Sequence, residues 1–312
     1  NVISCGSVSG QQTINLGWEP QWLLMKRTDS AGDWRLVDAM RGLTAVNSND
    51  AWLAPNTSAA ESAADFLTLN STGFFSDLNG TYIYIAIRRP MKTPEAGTEV
   101  FMPVTRAGNS TQTSVTGVGF SPDLVSTNER IANSGYRPWF DRLRGPPRFL
   151  SPNGTGAEVT NDVDVFKTFD QDGVTYGTDS ANNGTNKSGY NYIDYFFKRA
   201  PSVFDVVAYT GTGNTGTGLI PHNLTVAPEL VIIKPRSSGA WECGTQFTAT
   251  QYVYLFLNAT NAWGPRNYNS GYGDYSAPPT DTLVKVLPNG SYNGTGINYV
   301  AYLFSSLPGV SK

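Results

Sequence analysis

The chain is poor in the residues on which most enzymes and nucleic-acid-binding proteins rely. It has one histidine, His222, in 312 residues, so a Ser-His-Asp or Cys-His relay would have to use that position. His222 sits in LIPHNL, at a turn that sister segments fill with other residues, and it reads as structural. No H-E-x-x-H, C-x-x-C, P-loop or G-x-S-x-G pattern occurs. The two cysteines, Cys5 and Cys243, are too few for a disulfide framework and read as small buried hydrophobes. Charged residues make up 15% of the chain, and the net charge is −3. Without clustered Lys and Arg there is no footprint for a phosphate backbone, so nucleic acid is not an expected partner. No apolar run approaches the roughly 20 residues of a spanning helix, and membrane insertion is not expected. The chain begins at Asn1, as a fragment or processed chain would.

What is present is turn and strand chemistry, and it repeats. Residues 16–27 read LGWEPQWLLMKR, a turn, a proline and an apolar run. The pattern returns as VGFSPDLVSTNER near residue 118 and LTVAPELVIIKPR near residue 224. Gly17 and Gly119 permit a turn with positive φ, whereas the third copy has Thr225 there. Pro20, Pro122 and Pro228 hold the preceding residue extended and lack an N–H, which suits the start of a strand.

Further anchors follow in the same order. Residues 38–42 and 141–145 both read D-x-(M/L)-R-G, placing Asp38 and Arg41, and Asp141 and Arg144, at one spacing. Such a pair closes a turn through a charge-assisted hydrogen bond, or anchors adjacent subunits to each other. Residues 53–61 and 150–158 share L-x-P-N-x-(S/T)-x-A-E, and 255–262 is a looser copy. Each segment then closes on an aromatic strand and a proline: TYIYIAIRRP, YNYIDYFFKRAP and INYVAYLFSSLP. In the first of these, Tyr82, Tyr84 and Ala86 face one side and Ile83, Ile85 and Ile87 the other. Apolar residues on both faces predict a strand covered on both sides, or on one side by a neighbouring unit.

Three tandem copies follow, at 1–98, 99–203 and 204–312, each long enough to own a core. Short alternating runs between Gly, Asn, Ser and Asp clusters predict an all-β chain of three antiparallel β-sandwich-like domains. Helical turns are expected at most within residues 57–69, and 89–99 and 197–203 read as short linkers.

The third copy carries an extra loop, 263–281, rich in Gly, Asn, Ser and Tyr. It contains Trp263, Arg266, Tyr268, Tyr272 and Tyr275. Rigid aromatics among adaptable polar groups suit recognition, and such rings stack on sugar faces. The alternative is a loop packed against its own surroundings. Asp170 and Asp172, in Asp-Gln-Asp-Gly, have the hard-oxygen character of a calcium loop without its later acidic ligand. The other reading is an Asp-Gly turn between strands. No other cofactor is expected.

The repeated signature, above all WRLVDAMRG at 34–42 followed by the motif at 53–61, resembles a repeat in virion structural proteins of marine and other aquatic bacteriophages, the cyanophage type included. Such proteins are often described as tail-fibre or minor structural proteins. The resemblance covers nearly the whole chain, although the third copy lacks D-x-x-R-G. It implies a non-enzymatic virion protein, on the tail or capsid surface and extracellular when acting. A tail fibre or surface appendage contacting the host is the leading expectation. It also implies a homo-oligomer, with a trimer favoured, alongside other virion proteins and a host glycan or protein. Capsid decoration or a fibre shaft is the alternative, and a polysaccharide-degrading tailspike module is the second.

Overall fold

The computed structural model describes residues 2–46, 50–130, 135–181, 183–213, 218–261, 264–268, 275–288 and 291–311. The fold is all-β, made of antiparallel sheets of the β-sandwich type. The first repeat holds β1 (Ile3–Ser9), β2 (Gln12–Asn15), β3 (Pro20–Arg27), β4 (Trp34–Asp38), β5 (Asp50–Trp52), β6 (Ser62–Ala64), β7 (Leu67–Asn70), β8 (Gly73–Ser76) and β9 (Thr81–Arg88). The second holds β10 (Phe101–Ala107), β11 (Thr113–Val115), β12 (Leu124–Glu129), β13 (Trp139–Asp141), β14 (Phe166–Asp170), β15 (Gly173–Tyr176) and β16 (Asn191–Phe197). The third holds β17 (Phe204–Thr210), β18 (Gly218–Pro221), β19 (Leu230–Pro235), β20 (Glu242–Thr245), β21 (Gln251–Phe256), β22 (Gly264–Asn267), β23 (Leu283–Val286) and β24 (Asn298–Phe304).

One pairing scheme recurs. The main sheets run β1-β9-β3-β4, β10-β16-β12-β13 and β17-β24-β19-β20-β21-β22. In each, the closing aromatic strand lies between the opening strand and the strand after the proline. The smaller sheets are β2-β8-β7, β11-β15-β14 and β18-β23, with β5-β6 as a further pair. Residues 57–69 contain β6 and the start of β7 with irregular chain between, not helix, and Leu67 and Leu69 alternate into the core beside Phe66.

The repeated residues do local backbone work. All three prolines are buried at or just before the strand they introduce. The turn ahead of them uses positive φ at Gly17 (76°), Gly119 (85°) and Thr225 (68°), so the third turn keeps its shape without a glycine. Asp38 accepts hydrogen bonds from the backbone N–H groups of Met40 and Arg41 and from Arg41 Nε at 2.6 Å. The Arg41 guanidinium also reaches Glu61 and the Leu36 carbonyl. The Asn of L-x-P-N clamps a sheet end: Asn56 Oδ1 accepts from the Trp34 N–H, and Asn258 Oδ1 from the Trp241 N–H. In the second copy Ser151 Oγ takes that place at Arg137 and is itself held by Asn153. The leading Leu of the motif adds a bridge to the sheet each time, as Leu36 with Leu53, Trp139 with Leu150 and Cys243 with Leu255.

The described chain divides into two compact units, residues 1–91 with 142–145, and 92–141 with 146–312. In the first, Leu23, Met25, Val37, Phe74, Tyr82, Tyr84 and Ala86 form the core, with Phe74 edge-on to Tyr84. Ile83 and Ile85, on the other face of β9, are exposed. Cys5 is exposed, contrary to the buried role expected of it, because it sits on the outer face of edge strand β1. Cys243 is buried, which pushes its thiol up to about 12.

The second unit holds both later repeats. Each keeps its own cluster, around Phe140 and Phe166 in one and around Tyr252 and Tyr299 in the other. A shared layer then joins them. Trp139 lies 5.3 Å from Trp241 and 5.1 Å from Tyr302, whose hydroxyl donates to Asp141 at 2.8 Å. Trp241 Nε1 donates to the Ser151 carbonyl. Glu158 takes a bidentate pair with Arg236, and Arg199 pairs with Asp205 at 2.6 Å, both nearly buried. Residues 197–203, expected as linker, are part of this packing, with Ala200 buried and Phe197 against Phe204 and Phe304.

Two outcomes follow. Thr225 is exposed and β-branched in a left-handed conformation, so Thr225→Gly is expected to stabilise the second unit by about 1 kcal/mol in denaturant unfolding. Asp50 is fully buried in β5, and desolvation raises its carboxyl to about 7, against the N–H that Leu67 donates to it. A raised carboxyl favours the neutral acid in the folded state. Its contribution is therefore complete below about pH 4 and is lost as pH rises through about 7, at roughly 1.4 kcal/mol per pH unit. The unfolding midpoint of the first unit should fall between about pH 4 and about pH 7, and Asp50→Asn should flatten that fall.

Candidate functional site

The third sheet is longer than its sisters because β21 and β22 extend it beyond β20. The register sets Tyr252 opposite Arg266 and Tyr254 opposite Gly264. Among the described residues β22 is an edge strand, and Pro265 and Gly264 blunt it against further pairing. Alternation along QYVYLF divides its aromatics from Val253 and Leu255. Tyr252 and Tyr254 both face the core, and Tyr254 also lies beneath the Arg266 guanidinium, 3.6 Å from ring centre to charge. The Tyr254 hydroxyl donates to Glu242 at 2.9 Å, which fixes the ring. Phe256 stands edge-on to it at 4.9 Å.

A shallow groove of about 300 Å³ opens here, lined by Tyr254, Leu255, Phe256, Asn261, Gly264, Pro265 and Arg266. Its chemistry is one guanidinium, aromatic faces and a carboxamide. These stack on a flat ring and donate to hydroxyl or carboxylate oxygens. Glu242 is the nearby acid, but it is buried and engaged by Tyr254.

The residues expected to form a contact loop separate. Arg266 is in the groove. Tyr268 is half-buried beside it, donating to the Thr248 carbonyl at 3.1 Å, and burial pushes its hydroxyl up to about 12. Trp263 and Tyr272 lie outside the described residues. Tyr275 is a core residue, not a contact residue: it is fully buried among Phe247, Tyr252 and Tyr292. The cause is Gly244, which aligns with core residues Val37 and Phe140 of the sister repeats. The Tyr275 ring lies where a Cβ on Gly244 would stand, 2.6 Å from it, and fills the missing volume.

Asp170 and Asp172 sit in the turn between β14 and β15. Asp170 accepts from the hydroxyls of Thr168 and Thr175. Asp172 accepts from the N–H groups of Gly117 and Gly119, bracing the proline turn as Asn15 does at Gly17 in the first repeat. Among the described residues no group of three or more His, Cys, Asp or Glu is placed to hold a metal. Asp38 and Arg41 form the expected pair; Asp141 accepts from the Tyr302 hydroxyl, and Arg144 is fully buried. His222 Nδ1 accepts from the Leu224 N–H and its Nε2 faces the Thr280 carbonyl, which selects the neutral Nε2–H tautomer. Burial lowers its pKa, consistent with that form.

Residues 4–89 and 96–312 match the profile of the family described as Domain of unknown function (DUF7483), and the chain belongs to that family. No curated protein matches it.

Arg266→Ala is expected to weaken the β21–β22 pair by about 0.5–1 kcal/mol. Amide hydrogen exchange should quicken at Tyr254 and Arg266 and stay unchanged in β19 and β24. Uniform quickening through the sheet would show that the guanidinium supports the whole repeat.

Proposed function

We propose that this member of the DUF7483 family is a phage virion protein, a tail fibre or other surface appendage, that contacts the host surface without catalysis. The observation that carries this reading is the groove at the β22 edge of the third sheet. There the Arg266 guanidinium, held over the Tyr254 ring, offers a cation beside Phe256 and Asn261 to a glycan or a carboxylate-bearing surface group. The resemblance of the repeated signature to virion proteins supplies the setting. A shallow site binds weakly, and a symmetric homo-oligomer, a trimer by likeness to phage fibres, would multiply it by avidity.

A purely structural role, in capsid decoration or a fibre shaft, is favoured by one observation. Much of the aromatic content around the extra loop, including Tyr252 and Tyr275, is spent on the core.

Immunogold labelling of intact particles with an antibody to residues 204–312 tests the setting. Gold on the tail or on projecting fibres is expected, gold scattered over the capsid favours decoration, and unlabelled particles overturn the reading. On particles that label, Arg266→Ala and Tyr254→Ala should each weaken adsorption to host envelope by about tenfold. Unchanged adsorption would leave the structural role.

A further inference from the structure

The outer face of the first main sheet is apolar and open. Its register forms rungs that cross all four strands. The middle rung is Cys5, Ile85, Leu24 and Leu36. On one side stands Ile3, Ile87, Trp22 and Asp38, and on the other Ser7, Ile83, Lys26 and Trp34. Ile3, Ile83 and Ile85 are 56%, 47% and 38% exposed.

The corresponding rung of the third repeat is Val206, Tyr302, Ile232 and Cys243. There every member is buried. What covers it is a sister face: Trp139 and Asp141 of the second repeat pack on and hydrogen-bond to Tyr302. This fold therefore buries one such face with another of its own kind.

We infer that the open face of the first repeat is an interface for a second copy of this chain, packed face to face about a twofold axis along the middle rung. The charges agree with self-pairing. The middle rung carries none, while Lys26 and Asp38 stand in the rungs on either side of it. The twofold keeps the uncharged middle rung at the centre, where no like charges meet. Four strands spaced about 4.8 Å and three rungs present roughly 400 Å² per copy. A total near 800–1,000 Å² is the size of a weak, reversible complex. Crowding of copies on one assembly would raise its occupancy. The inference does not depend on host contact.

Sedimentation velocity on the whole chain, over a wide range of concentration, tests it. A dimer fraction that rises with concentration is expected. Ile85→Asp should weaken it by about tenfold or more, whereas Leu219→Asp, at an exposed site in β18, should not. A chain that stays monomeric, or a dimer indifferent to Ile85→Asp, overturns the inference. Should Ile85→Asp fail to fold, the wild type decides the matter. Alkylation of Cys5 should slow as protein concentration rises, and a constant rate would exclude this face.

Discussion

Each repeat depends on the pairing of its first strand with its last. β1 with β9, β10 with β16 and β17 with β24 run in register over seven residues apiece. The last strand is also paired on its other side by the strand that follows the proline turn. It is thus an interior strand of its sheet, with its backbone groups satisfied from both sides. Everything else in a repeat is arranged around that strand: the proline turn delivers its second neighbour, and the smaller sheet covers its inner face. Edges are blunted by proline, at Pro103 in β10 and Pro265 in β22.

The same strand decides how a repeat relates to its surroundings. Its outer positions read Ile83, Ile85, Ile87 in the first copy, Ile193, Tyr195, Phe197 in the second and Val300, Tyr302, Phe304 in the third. Bulky aromatics fill a layer between two sheets, and the Tyr302 hydroxyl needs a partner there, which Asp141 provides. The buried pairs Glu158–Arg236 and Arg199–Asp205 add little net stability, since desolvation offsets much of their attraction. They serve to fix one docking arrangement of the second and third repeats.

Much of this was legible because the repeated residues act on the backbone next to them. Proline at a strand start, glycine in a left-handed turn and Asp three residues before Arg are short-range devices, and their order gives the repeat. The candidate site was less legible, because burial is settled by distant residues. Tyr268 and Tyr275 lie in one loop of one composition, yet only Tyr275 is drawn into the core, by the volume that Gly244 leaves empty. The sign was available in Gly244, where the sister repeats carry Val37 and Phe140, but a glycine is more readily read as a turn. Tyr254 and Phe256 were hidden in an ordinary alternating strand. Thr225 shows the opposite case, where the fold imposes a conformation that its own residue disfavours.

A sheet whose middle is supplied by the end of its segment cannot be built from the front during synthesis. Until β9 leaves the ribosome, β1 has no neighbour to bond and β3 has only β4, and the same holds before β16 and β24 in their turn. Each repeat must wait as an open, aggregation-prone chain for roughly 80–100 residues before it closes. The second and third share a buried layer, so the second cannot reach its final packing until the third is complete. The chain therefore matures in two late steps, the second spanning about twice the length of the first, and that interval is when a nascent copy is most exposed to pairing with its neighbours on the same message.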